Sequence, residues 1–384
     1  MKLGIKLSKF RKTLPFYEYM HNVVSKHIDH NVDGLLINKL RKEQEDGYPT
    51  RYYRSSLLTV YRILTARNFE MGLPLIQAYN PSIKLKNGKL LMLIRLGTFE
   101  PSRTFLGITE IDSFGNEFLS PEMRIPNKSY PTRIFIRARL PYESLEDPRF
   151  SPINDEFFFV TVLRGPGFPV AEPVISWIIK DEEVAPIMYR DTVLSDNRDS
   201  FRVTEKVMTI RPNYKYAPRN VLALGYIDKD NPNVVEDAFT YTVFRPRKEE
   251  EKTGGGTTVK IGNNKYLFVY HVVYRGIGGL KGEGTAGIYI NYGVILDEDG
   301  NLLAEIQDPL TPIDYPYSGQ RPGVIFVTGG LVLDKNDVYR FMPDVNNYLK
   351  DFDKLLMLVA GVDDESTIVL IQDLDKVLEN AKWY

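Results

Sequence analysis

The chain has 384 residues, with 49 Lys plus Arg against 50 Asp plus Glu, 43% hydrophobic residues, 24 Tyr and no Cys. This balance excludes a disordered or collagen-like polymer, and a net charge of −1 supplies no broad basic field for a nucleic-acid backbone. Without thiols there is no disulfide, no zinc-thiolate centre and no cysteine nucleophile.

The basic start, MKLGIKLSKFRK, runs into TLPFYEYMHN rather than a sustained apolar stretch, so neither a secretory signal nor a membrane span is expected and the cytoplasm is the expected compartment. From about Leu14 to Asn68 turn signals are few, and Met20, Val23, Val24, Ile28, Leu35, Leu36 and Leu40 recur at roughly helical spacing. That spacing predicts two or three helices, taken as an N-terminal helical extension over residues 1–70. The cluster His21, His27, Asp29 and His30 is read as an exposed helix face rather than a metal site, because no matching ligands occur elsewhere.

After Pro74 short runs of Val, Ile, Phe and Tyr alternate with Gly, Asn, Asp and Pro clusters. Five copies of a strand, turn, strand unit begin at Asn80, Glu146, Arg198, Gly255 and Pro322. Their spacing of about 50 to 70 residues suits a four-stranded blade with loops, so residues 71–384 are expected to form an all-β, five-bladed propeller. Stacking such wedges around an axis buries faces that no single wedge could bury. Asn87-Gly88 and Asp299-Gly300 supply the positive dihedrals of tight hairpins. The stretch from Asp373 to Tyr384 reads as a short final helix or an edge-closing tail.

In such a propeller the first strand of each blade lines the channel, and polar residues at strand starts face one mouth. Those residues are Asn80, Glu146, Asp147, Arg149, Asp199 and the three glycines 254, 255 and 256, with Lys252 just before them. Arg95, Arg164, Arg211 and His271 follow on later strands. Cleavage of a glycoside by water needs two carboxylates. An attacking phosphate is already anionic, so one proton donor and a cationic cradle would suffice, and an arginine fork suits phosphate.

LEDPRF at 145–150, KTGGGTTVK from Lys252 leading into YLFVYHVVY, YGVILDEDGNL from Tyr292 and LVAGVDDEST from Leu358 occur in that order. Together they resemble the corresponding blocks of glycoside hydrolase family 130, whose mannoside phosphorylases and mannosidases are five-bladed propellers. The resemblance implies Asp147 as the general acid, its proton passing through a sugar hydroxyl to the glycosidic oxygen. It implies Arg164, Lys252 and His271, with Arg211 a weaker transfer, as phosphate contacts. Asn80, Arg95 and one of Asp363 or Asp364 fall where sugar or phosphate is contacted, and Glu146 and Asp199 join them as sugar-side acids. Departures are Gly165 in place of an expected Asn, no counterpart of a second phosphate arginine between Gly165 and Lys180, and Tyr315-Pro316 in place of Tyr-Glu.

The activity so implied is inverting phosphorolysis of a β-mannoside to α-mannose 1-phosphate, with inorganic phosphate as co-substrate and neither metal nor organic cofactor. Hydrolytic members generally lack the Lys and His of the cradle, so Lys252 and His271 favour phosphorolysis. The alternatives are an inverting mannosidase with Glu146 or Asp199 as base, and a silent sugar-binding propeller. Expected partners are a small carbohydrate and phosphate, not nucleic acid or membrane, with the N-terminal helices as the contact for a homo-oligomer. The loop GIGGLKGEGTAG from Gly276 lacks a βαβ context and reads as a flap over the funnel.

Overall fold

Apolar runs joined by Asn and Gly turns fold back on themselves as antiparallel hairpins, and the computed structural model gathers them into five sheets. It describes residues 51–54, 75–98, 104–114, 132–136, 143–163, 174–181, 183–189, 200–211, 222–237, 243–244, 250–274, 288–311, 324–343, 345–347, 349, 351–362, 364 and 366–384. Each sheet is one blade of a propeller, as the repeat predicts. Blade 1 runs from its inner strand Leu75–Lys86 through Lys89–Thr98 and Thr104–Ile111 to Thr132–Ile136. Blade 2 comprises Glu143–Phe150, Phe157–Leu163, Val174–Lys180 and Glu183–Pro186.

In blade 3 the inner segment is held by the Arg202 to Met208 bridge, and Val207–Ile210, Leu222–Ile227, Val234–Asp237 and Val243–Phe244 follow. Met188–Tyr189 pairs in parallel on the outside of that sheet. Blade 4 is Glu250–Gly262, Lys265–Tyr274, Ile288–Leu296 and Leu302–Ile306. Blade 5 is Ile325–Asp334, Lys354–Val362 and Ser366–Asp373.

Two segments far from their blades in sequence are sewn into the ring. Arg51–Arg54 pairs with Ser366–Asp373 and becomes the outer strand of blade 5, while Ala381–Trp383 adds a fifth strand to blade 4 beside Leu302–Ile306. Covering outer edges in this way removes open ladders. The expected helical character of residues 1–70 is therefore corrected where it can be seen: Arg51–Arg54 is a strand, because its backbone completes a sheet that the sequence of residues 51–54 alone does not announce. The rest of 1–70, with His21, His27, Asp29 and His30, lies outside the described residues.

The helices seen are near the C-terminus. Helix α1, Lys335–Phe341, begins at Asp334, whose side chain accepts from the amide of Asp337. It takes residues that the repeat assigns to the second strand of blade 5, which instead starts at Lys354. Helix α2, Leu374–Glu379, is capped by Asp373, so the tail contains both the short helix and the edge strand.

Apolar clusters lie between adjacent blades. Leu93, Leu106 and Leu145 join blades 1 and 2, and Phe201, Leu224, Phe268 and Tyr292 join blades 3 and 4. Val259, Leu267, Leu356 and Leu370 join blades 4 and 5, and Ile83, Met92, Met357 and Phe341 close the ring between blades 5 and 1. Burying these faces on both sides of each wedge is the main source of stability.

The inner strands share a second feature. Register slips fall between Tyr79 and Ser82, Glu146 and Arg149, Gly255 and Thr257, and Val327 and Gly329. A bulge kinks the strand and re-aims a side chain. At the blade 4 bulge, a methyl group on Gly256 would lie 2.7 Å from the carbonyl oxygen of Val327 and 2.8 Å from that of Val269. Both obstacles are backbone and cannot rotate away. Gly256→Ala should therefore cost about 1–3 kcal/mol in urea unfolding; an unchanged midpoint and slope would show that the inner ring is looser than this packing implies.

Candidate active site

Asn80 and Asp147 each precede a proline inside an inner strand, and both take left-handed backbone dihedrals, φ 46° and 49°. Asn and Asp tolerate this region better than other non-glycine residues, and proline within a sheet belongs at a bulge. The two bulges turn the side chains toward each other, so Asn80 Nδ2 donates to Asp147 Oδ1 at 2.7 Å. Gly361 of blade 5 allows the close approach, since any side chain there would collide with Asn80.

Arg95 comes from the second strand of blade 1, directly opposite Tyr79, and its guanidinium lies over the Tyr79 ring at 4.8 Å. Its fork is divided between two acids. Nη2 donates to Glu146 Oε1 at 2.7 Å, and Nη1 reaches Asp147 Oδ1 at 3.3 Å. Nε donates to Thr104 Oγ1 at 3.3 Å, and Thr104 and Ser144 share a 2.6 Å bond between hydroxyls. Thr104 Oγ1 donates to the carbonyl of Leu145 at 2.6 Å, so the Ser144 hydroxyl is the donor of that shared bond, and Ser144 Oγ lies 3.3 Å from Glu146 Oε1.

All these side chains are buried. Burial opposes the charge on Arg95, but the fields of Glu146, Tyr79, Asp147 and Asp364 together overcome it and hold its pKa above the usual arginine value. Burial likewise pushes the Tyr79 phenol well above its ordinary pKa, with Arg95 pulling the other way, so Tyr79 stays neutral. Asp364, in a left-handed turn between two strands of blade 5, acts on both groups and so belongs to the same neighbourhood.

A second group of residues centres on Gly254. In blade 4 it pairs with His271, and a methyl group on it would lie 2.6 Å from His271 Nε2 and 2.7 Å from Arg211 Nη2. The glycine thus leaves room for an imidazole and a guanidinium at one point. His271 is stacked on Tyr289 at 4.8 Å and meets the edge of Phe326 at 4.9 Å, which fixes the ring plane.

One buried side chain ties the two groups together. Arg149 Nη1 donates to the carbonyl of Asp147 at 2.7 Å, and Nε donates to the carbonyl of Gly256 at 2.6 Å. Its guanidinium is packed between Phe201 and Phe326, at 4.9 and 5.2 Å. Phe326 therefore touches both Arg149 and His271.

Of the residues singled out in the sequence, Asp147, Glu146, Asn80, Arg95 and Asp364 come together in one cluster, and His271 and Arg211 meet at Gly254. Lys252 is placed by its backbone in the inner strand of blade 4, opposite Val273. Arg164, Asp199 and Asp363 lie outside the described residues, as does the loop from Gly276. Tyr79, Thr104, Ser144, Tyr289 and Phe326 escaped sequence reasoning because aromatic and hydroxyl residues on strands look like ordinary core. Only Tyr79, just before Asn80, carried a positional hint. Among the described residues no group of three or more His, Asp or Glu side chains could hold a metal ion, and no helix is long and apolar enough to cross a membrane.

No protein-family model and no curated protein matches the chain. Solved structures do. A β-1,2-mannobiose phosphorylase from Listeria innocua, in complex with β-1,2-mannobiose, is 15% identical with a TM-score of 0.55, over 86% of this chain and 99% of that one. A mannose phosphorylase from Leishmania mexicana, in complex with a phosphate ion, is 14% identical with a TM-score of 0.50, over 80% of this chain and 92% of that one. The shared feature is the fold. At these identities the chain has the five-bladed propeller of both proteins along nearly their whole length, and its chemistry has to be argued from its own residues.

Proposed function

We propose that this protein is a glycoside phosphorylase that cleaves a β-mannoside with inversion, giving α-mannose 1-phosphate and a shortened sugar. The observation that carries the proposal is a held acid, Asp147, together with a pair of side chains suited to an anion, His271 and Arg211 at Gly254, on two inner strands whose carbonyls at Asp147 and Gly256 are bridged by the guanidinium of Arg149. Asp147 Oδ1 accepts from both Asn80 and Arg95, so a proton on this acid belongs on Oδ2.

In the proposed reaction the bond from the anomeric carbon to the glycosidic oxygen breaks with its electron pair on oxygen. That oxygen receives the proton of Asp147. A phosphate oxygen forms the new bond to carbon on the opposite face, and the β configuration becomes α. Arg211 and His271, with Arg164 and Lys252, are assigned to hold phosphate. Asn80, Arg95 and Asp364, with Asp199 and Asp363, are assigned to the sugar side.

The placement of Glu146 speaks against its serving as the base of a hydrolase. Glu146 and Asp147 share one guanidinium and so lie on the same side, whereas an inverting hydrolase needs its carboxylates on opposite faces of the sugar. The similarity to two phosphorylase structures, one holding a mannobiose and one a phosphate ion, is consistent with this substrate class.

A panel of β-linked mannose disaccharides incubated with and without inorganic phosphate tests the proposal. Sugar 1-phosphate should accumulate only with phosphate. Equal release of free mannose in phosphate-free buffer would make the protein a hydrolase, and binding without cleavage would make it a sugar-binding propeller.

A further inference from the structure

Two carboxylates and one guanidinium make an uneven triangle at the proposed acid. Glu146 has the shorter contact with Arg95, 2.7 Å against 3.3 Å. A charge-assisted bond of 2.7 Å is at the strong end of the range. The short bond of Asp147 comes from the uncharged amide of Asn80, also at 2.7 Å, which serves a neutral carboxylic acid as well as a carboxylate. An acid facing an arginine alone would be held ionised at neutral pH and could not donate a proton, whereas a second carboxylate at the same site raises the proton affinity of its neighbour.

We propose, resting on the phosphorolysis assigned above, that Glu146 is a positioning residue that acts through Arg95: by occupying the guanidinium it keeps Asp147 able to carry a proton at neutral pH. Among the described residues the titratable and charged groups around Asp147 include Arg95 and Tyr79 of blade 1, Glu146 and Arg149 of its own strand, and Asp364 of blade 5. Tyr79 is neutral, and Arg149 donates to the main-chain carbonyls of Asp147 and Gly256. Asp364 adds negative potential in the same sense as Glu146. Glu146 makes the direct contact, so the balance turns on it.

The test is the pH dependence of Glu146→Gln. Catalysis needs protonated Asp147, so activity falls as pH rises through the pKa of that acid. Removing the charge of Glu146 takes away the acid with the shorter contact to Arg95 and leaves Asp147 the stronger claim on that guanidinium, which lowers that pKa. The alkaline limb of the rate profile should therefore move to lower pH by about one unit or more, the scale expected of a neighbouring opposite charge, and activity should recover on acidification. Glu146→Asp keeps the charge but withdraws it by one methylene, and should give a smaller shift in the same direction, which also covers a Glu146→Gln variant that does not fold.

A second readout needs no turnover. The infrared carbonyl band of a protonated carboxyl, identified by its loss in Asp147→Asn, should titrate at lower pH in Glu146→Gln than in the parent. A lower rate with an unmoved limb, or an unmoved band, overturns the role of Glu146 and leaves the phosphorolysis assignment intact. A parent protein without phosphate-dependent release overturns that assignment, while the infrared titration still decides the electrostatic coupling.

Discussion

Asp147→Asn should lower phosphate-dependent sugar release by about 10²–10⁴-fold, the range that a positioned proton donor contributes. The substitution keeps the shape of the side chain and an oxygen for Asn80 Nδ2, and removes only the proton and charge. Asparagine also tolerates the left-handed dihedrals that Asp147 adopts, with φ 49°, so the bulge survives. Stability should then change by no more than about 1 kcal/mol, a typical value for a point substitution. Initial rates on a β-mannoside with phosphate, together with a urea unfolding curve, check both halves. A variant with normal phosphorolysis would remove Asp147 from the mechanism, and a variant that fails to fold would mean that its carboxylate serves structure first.

Arg149→Met should destabilise the propeller by roughly 2–6 kcal/mol, since two buried carbonyls, those of Asp147 and Gly256, would each lose a donor at about 1–3 kcal/mol. Methionine fills much of the slot between Phe201 and Phe326 but offers no N–H group. Arg149→Lys should recover little, because a single ammonium cannot reproduce a fork that spans two blades. Turnover should fall beyond what the loss of folded protein explains, since Arg149 anchors the peptide that aims Asp147. Unfolding midpoints and rates corrected for the folded fraction test this. A stable, fully active Arg149→Met would show that the bulge at Asp147 holds itself.

The two variants separate what looks like one motif. Asp147 and Arg149 are two residues apart, yet the bulge sends the first into the cluster with Asn80 and Arg95 and the second across to blade 4. A regular strand would have placed i and i+2 on one face. The departure from that period is what lets a six-residue stretch supply both a proton donor and the strut that holds it.

The residue order alone carried the number of blades, because each wedge repeats the same apolar runs and turn residues whatever surrounds it. Asn87 and Gly88, at φ 51° and 69°, show how local such information is, while at Asp299-Gly300 only the glycine takes a positive φ. Asp147, Glu146, Asn80 and Arg95 were also legible, through their place in strand openings and in spaced motifs. The helix at Lys335–Phe341 was obscured by a valine, a tyrosine and a phenylalanine that suit a strand equally well, and the capping bond from Asp337 to Asp334 decided it. Which acid takes the shorter contact with Arg95, which glycine admits His271 and Arg211, and which arginine braces the centre emerged only from three dimensions. The contacts of Arg95 with Glu146 and of Arg149 with Gly256 join residues 51 and 107 positions apart, and side-chain type alone cannot say which partners a closed ring will bring within reach.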